Sequence, residues 1–362
     1  NDSLKLNVPP EVQILSHAND AIFSTDKVTI SYRIVSDTQV KDIRILLDGR
    51  PISDERGFSR NKQSKTSLEQ TVSVTLPRRD VLLSIIALSD KSASKPVNIN
   101  FKWNGKNEVS SNLLKPNLYI LSIGVSDYDI NDYDLRFASK DADDLQNLLQ
   151  KQKGGLYKDI VIKSGINATR DQVLDGLDWL QDEVTARDVA MIFIAGHGVN
   201  DSSGEYYFLP ANADIDNLKR TGVPYYEIRN TLNNLAGKTI LFADTCHSGN
   251  ILGNTQRRAV GDINNVVMDL TSAENGVIVF ASSTGRQYSL ENPSWGNGAF
   301  TKALLEGISG GADLFGNGVI TINTLDAYIA NRVKVLTNNK QTPTTSKPST
   351  INDFPIATLI KK

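Results

Sequence analysis

The sequence predicts an all-β region followed by an α/β domain built on a mostly parallel sheet flanked by helices. Residues up to about 104 hold short apolar runs of period two and no stretch of helical period. From Leu118 onward, wholly apolar runs alternate with amphipathic segments. A polar, turn-rich stretch lies between them, so residues 1–104, 105–116 and 117–362 read as β domain, linker and α/β domain.

In the first region Val28–Val35 alternates apolar and polar residues, as a half-buried strand does. Ile43–Leu47 runs into Asp48-Gly49, a turn signal between strands. Gln70–Leu76, Val81–Leu88 and Val97–Trp103 complete the set, and a small antiparallel sandwich is the natural packing. The pattern resembles immunoglobulin-like accessory domains, although it lacks their cysteines.

In the second region Leu118–Val125, Ile160–Lys163, Val189–Ala195, Thr239–Ala243 and Val277–Ala281 are apolar at alternate and intervening positions alike. Such runs suit strands buried on both faces of a parallel sheet. Thr169 stands three residues before Gln172, a capping pair for a helix over Asp171–Glu183 whose apolar face is Val173, Leu174, Leu177 and Leu180. Ala299–Ile308 and Leu325–Leu336 share that period.

Composition narrows the function. The net charge of −2 offers no electrostatic case for nucleic acid or an anionic membrane as partner. No apolar run approaches the ~20 residues that span a bilayer. The first residue is Asn1, so a processed or excised chain is expected, which leaves room for an upstream sensor or regulatory domain. The single cysteine cannot form an intramolecular disulfide; a cytoplasmic location is the simpler expectation, with an extracytoplasmic one left open.

Functional groups in parallel sheets gather beyond the carboxyl ends of the strands. The third apolar run ends in Ala195-Gly196-His197-Gly198, and the fourth in Asp244-Thr245-Cys246-His247-Ser248-Gly249. If these runs are neighbours, Cys246 and His197 meet at one edge, within glycine-rich turns. A thiol with pKa near 8.5 is mostly protonated at neutral pH, and an imidazole beside it can take that proton. Backbone N–H groups at Gly198 and Cys246 would then stabilise a tetrahedral oxyanion. Taken singly, a lone Cys is usually a small buried hydrophobe and a lone His a satisfied polar residue. It is their joint placement that points to nucleophilic catalysis.

These residues resemble the caspase-like cysteine peptidases, in particular the metacaspase and bacterial orthocaspase branch. The resemblance runs over Leu118–Ile360. It rests on the two strand ends above, together with Gly124–Tyr128, Tyr207–Pro210, Gly298–Gly307 and Gln341-Thr342-Pro343. His197 and Cys246 are 49 residues apart, and caspases separate the two by about 50. The resemblance implies peptide-bond hydrolysis of protein or peptide substrates, with Cys246 as nucleophile and His197 as base and acid. His247 reads as structural.

It also implies cleavage after Arg or Lys, with Asp141 and Asp244 as the carboxylates of the S1 pocket; two carboxylates suit a guanidinium. The plainer alternative is that Asp244 closes a strand-end turn and Asp141 starts a helix. Where metacaspases carry a further acidic pair this chain has Tyr225-Tyr226-Glu227, so either Glu227 substitutes or the pocket is less acidic. Relatives often cleave themselves after the nucleophile, which makes Arg257 and Arg258 candidates for autocleavage of a zymogen; an unprocessed surface loop is the alternative.

No cofactor or metal is expected. Calcium activates some metacaspases, but Asp127–Asp134 lacks the glycine and glutamate of a calcium loop, and Asp313–Thr321 reads as a turn into a strand. Two other functions stay open: a peptidase of the same fold with a different pocket, of legumain or separase type, and a catalytically silent scaffold.

Overall fold

Residues with alternating burial form strands only when a second layer covers their apolar face, and the N-terminal part supplies two such layers. A computed structural model describes residues 8–52, 68–105, 115–247, 276–283 and 289–359. It divides into an all-β unit and an α/β unit. The first holds β1 (Glu11–Ile14), β2 (Ala21–Phe23), β3 (Lys27–Val35), β4 (Val40–Leu47), β5 (Arg50–Pro51), β6 (Leu68–Thr75), β7 (Val81–Ser89) and β8 (Val97–Trp103). One sheet is ordered β1-β3-β6 and the other β2-β8-β7-β4-β5. Ile30, Tyr32 and Ile34 of β3 meet Leu83, Ile85 and Ala87 of β7 in their common core.

The sequence pattern missed β1, β2 and β5, which are too short to show a period, and β2 pairs parallel to β8, so the unit is not wholly antiparallel. The short stretch Pro348–Asn352 joins this unit from late in the chain, with Asn98 Nδ2 donating to the Ser349 carbonyl at 3.1 Å.

The α/β unit is built on β9 (Leu118–Gly124), β10 (Ile160–Ile166), β11 (Val189–Asn200), β12 (Tyr206–Phe208), β13 (Val223–Pro224), β14 (Lys238–His247) and β15 (Val277–Ala281). Two short pieces follow, β16 (Glu291–Asn292) and β17 (Asn297–Gly298), then β18 (Val319–Thr321), β19 (Thr344–Ser346) and β20 (Pro355–Thr358). The main sheet runs β10-β9-β11-β14-β15-β19, parallel except for β19. Among the described residues its longer helices are α1 (Ala138–Gln150), α2 (Arg170–Glu183), α3 (Tyr225–Asn234), α4 (Ala299–Glu306) and α5 (Ile322–Leu336).

Burial on both faces follows from where the helices lie. Leu121, Ile192, Leu241 and Val279 form one row with Val173, Leu177 and Leu180 of α2 and Ile228 and Leu232 of α3. On the other face Ser122 Oγ donates to the Ala142 carbonyl of α1 at 2.9 Å, and Phe242 stacks on Phe280. The expected capping box of α2 is present, Thr169 with Gln172. A β-carbon on Gly124 would lie 2.3 Å from the Ala138 carbonyl oxygen, so the glycine lets α1 begin directly over the end of β9. Among the described residues, no helix is long and apolar enough to cross a membrane.

Candidate active site

The pairing of β11 with β14 brings the two loaded strand ends together. In that parallel register His197 stands opposite Cys246, with Ala195 opposite Asp244. The turns expected around His197 and Cys246 are not there: both strands run on through these residues. The reason is β12, which pairs antiparallel with Gly198–Asn200 and extends the ladder. A β-carbon on Gly198 would sit 1.8 Å from the Tyr206 hydroxyl, and one on Gly196 2.9 Å from the Phe208 ring. Both glycines therefore admit aromatic rings, and Gly196 also takes a positive φ of 152°.

His197 is buried and fixed from two sides. Its Nε2 lies 2.7 Å from the Tyr133 carbonyl oxygen. A carbonyl only accepts, so Nε2 carries the proton and Nδ1 the lone pair. The Tyr128 ring lies 5.2 Å from the imidazole, and the His197 backbone N–H donates to the Tyr128 hydroxyl at 3.0 Å. Burial pushes the imidazole pKa below its ordinary value, against the Tyr133 carbonyl, which favours the proton. At neutral pH the ring is thus a neutral base.

Beside these strands lies a small cavity, with room for about one water molecule, lined by Ala195 and Gly196 of β11 together with Asp141, Asp244, Glu291 and Gly298. Asp141 projects from the first turn of α1. It accepts from Asn297 Nδ2 at 2.8 Å and from the Gly298 N–H at 3.1 Å. Asp244 accepts from Thr301 Oγ1 and Ser289 Oγ, both at 2.8 Å. Glu291 accepts the N–H groups of Arg136 and Phe137, each at 3.3 Å, just ahead of α1.

Burial raises all three pKa values. Asp141 is pushed up to about 8, first by burial and then by Asp244, against the Asn297 and Gly298 donors. Asp244 is raised by burial against its hydroxyl donors, and Glu291 by burial against its backbone donors. Among the described residues, none of those lining the cavity is a cation. Three carboxyl groups facing one space repel when ionised, and a guanidinium or ammonium inside would remove that repulsion.

Asp141 and Asp244, chosen from the sequence as partners, thus line one cavity. Glu227 does not. It lies in the first turn of α3, which packs on the opposite face of the sheet, and Glu291 supplies the third carboxylate instead. Neither Glu291 nor the Tyr133 carbonyl was singled out in the sequence. Glu291 reaches the cavity through the β16–β17 pairing, where it stands opposite Gly298, and no spacing rule signals that fold-back. Arg257 and Arg258 lie outside the described residues.

The two acidic runs serve local geometry. Asp134 Oδ1 accepts the Tyr128 N–H, and Asp127 Oδ2 accepts from Asn167 Nδ2. Asp313 accepts the N–H groups of Asn317 and Gly318, closing the turn that leads into β18.

With the sheet order and the paired strand ends in view, the sequence profile of the caspase domain matches residues 119–355. The chain belongs to the caspase-domain family. That family consists of cysteine-type peptidases, and the match spans the sheet, the His197 and Cys246 strands and the carboxylate cavity. Among solved structures, a Geobacter sulfurreducens protein is similar at 18% identity and a TM-score of 0.49, over 68% of this chain and 100% of that one. Raptor from Chaetomium thermophilum is similar at 18% identity and a TM-score of 0.30, over 54% of this chain and 18% of that one. Both likenesses are too weak to bear on function. A comparison with curated proteins found no match.

Proposed function

We propose that this caspase-domain chain is a cysteine endopeptidase that cleaves protein or peptide substrates after Arg or Lys. The observation that carries the specificity is the trio Asp141, Asp244 and Glu291 around one cavity, whose wall includes the two residues before His197. A basic P1 side chain entering there meets carboxylates from three elements, and its scissile carbonyl lies toward the ends of β11 and β14.

In the reaction, the Cys246 thiol gives its proton to His197 Nδ1, and the thiolate attacks the P1 carbonyl carbon. The oxyanion takes hydrogen bonds from the N–H groups of Gly198 and Cys246, a contribution typically worth ~3 kcal/mol per donor. His197 passes the proton to the leaving amine, which departs and leaves a thioester on Cys246. Water, deprotonated by the same nitrogen, then releases the carboxylic acid and restores the thiol. Throughout, the Tyr133 carbonyl keeps Nε2 protonated and the ring oriented.

Peptides carrying a fluorophore after Arg, Lys, Asp or Asn test the proposal. Preference for Arg and Lys by about 100-fold or more in kcat/KM is expected from loss of a buried charge partner. Preference for Asp or Asn would indicate a different pocket, and no cleavage by folded, processed protein would favour the scaffold. Autocleavage after Arg257 or Arg258 belongs to the same proposal, and would give wild-type protein a lower mass than Cys246→Ala.

A further inference from the structure

Asn297 is buried in β17, and both hydrogens of its amide are committed to carboxylates. Nδ2 lies 2.8 Å from Asp141 Oδ1 and 2.8 Å from Asp144 Oδ2. The orientation of the amide is therefore fixed, because the flipped form would set its carbonyl oxygen against two carboxylates. Asp144 lies one turn beyond Asp141 on α1 and is held by an ion pair with Lys140 at the surface. A chain of contacts thus runs inward from Lys140 through Asp144 and Asn297 to Asp141 and the cavity.

Asp141 needs that donor. It faces the carboxyl groups of Asp244 from β14 and Glu291 from β16, and both favour its protonated form. Opposing them at Asp141 are the Asn297 amide and the Gly298 N–H. Asp144 and Lys140 on α1 face the amide, and Arg136 ahead of α1 faces Glu291.

We propose that Asn297 is the positioning residue of the specificity pocket: its amide, fixed by Asp144, aims the Asp141 carboxylate at the cavity in the ionised form that grips a basic P1 side chain. The inference rests on the basic-residue specificity above and adds the group that lowers the pH at which that specificity takes hold. Asn297 touches no reacting atom, so its loss acts on substrate affinity and on the pH dependence of that affinity.

The test compares kcat and KM across pH 5.5–9 for wild type, Asn297→Leu, Asn297→Ala and Asp144→Ala on Arg-terminated peptides, with thermal midpoints to verify folding. Loss of a charge-assisted hydrogen bond predicts that KM at pH 7 rises about tenfold or more in both Asn297 variants, with kcat within about threefold. The pH at which KM improves should move upward in both. Leucine keeps the volume without the donor. If Asn297→Leu behaves as wild type while Asn297→Ala is impaired, the role is packing and the proposal is overturned. An unchanged KM–pH profile in folded Asn297 variants overturns it equally.

Should the Asn297 variants not fold, Asp144→Ala, at a half-exposed position, decides. A KM rise of about threefold in that variant supports the proposal, and an unchanged KM contradicts it. A wild type without basic preference would show in the wild-type data alone, and would remove the specificity and this inference together.

Discussion

Two buried carboxylates in different units of this protein have opposite surroundings. Asp48, at the β4–β5 turn of the all-β unit, forms an ion pair with Arg79 Nη1 at 2.6 Å and accepts the Leu82 N–H at 3.0 Å. Asp141, in the α/β unit, faces Asp244 and Glu291 across a cavity with no cation among the described residues that line it. The first pairs its carboxylate with a cation of its own unit and serves stability. The second costs stability, and under the proposed function the basic side chain of a substrate completes it.

Experiments that sharpen this contrast differ widely in expected size. The largest effect belongs to the reacting groups: Cys246→Ala or His197→Ala should lower kcat/KM by about 10⁴-fold or more, measured with the preferred Arg peptide. Next come the pocket acids. Asp244→Asn or Asp141→Asn should reduce kcat/KM on Arg peptides by about 100-fold, mostly through KM, since a buried partner of the guanidinium is lost. Gly298→Ala should weaken Arg binding by about tenfold, because the new methyl would lie 3.1 Å from Asp141 Oδ2 and 3.2 Å from Asp244 Oδ2, inside the pocket.

The pH dependence separates chemistry from specificity. His197 has a lowered pKa, so the acid limb of kcat should fall below the ordinary histidine value of about 6.5. KM for Arg peptides should instead improve as pH rises toward about 8, the pKa of Asp141. Stability has the opposite sign. A carboxyl whose folded pKa is raised holds its proton better folded than unfolded, so its contribution is complete below about pH 4 and is lost as pH rises through about 8.

Asp141→Asn should therefore flatten the decline of the thermal midpoint between pH 4 and 8 and stabilise the protein at the upper end. Asp48→Asn should instead destabilise the protein at neutral pH, by about 1 kcal/mol because Arg79 is half exposed. The smallest effect thus carries the clearest sign. Equal signs for Asp141→Asn and Asp48→Asn would break the comparison.

Much of the architecture was legible because parallel strands buried on both faces read as uninterrupted apolar runs, as in Val189–Ala195 and Val277–Ala281. The α2 cap was legible for a local reason, Thr169 and Gln172 being three residues apart. The juxtaposition of His197 with Cys246 followed from each standing just past such a run. The pocket was only partly legible. Asp141 and Asp244 came from resemblance, whereas Glu291 and Asn297 reach it through a β16–β17 fold-back more than 140 residues from α1. Short strands such as β2, held by tertiary pairing alone, left no periodic trace.

The central claim joins a thiol to a basic-selective pocket, and the single cysteine permits a direct measurement. Peptidyl chloromethyl ketones ending in Arg or in Asp are incubated with the protein, and adducts are located by peptide mapping. Alkylation of Cys246 should be about 100-fold faster with the Arg reagent, and should slow sharply in His197→Ala and in Asp244→Asn. Equal rates for the two reagents, or an Arg preference untouched by Asp244→Asn, would contradict it.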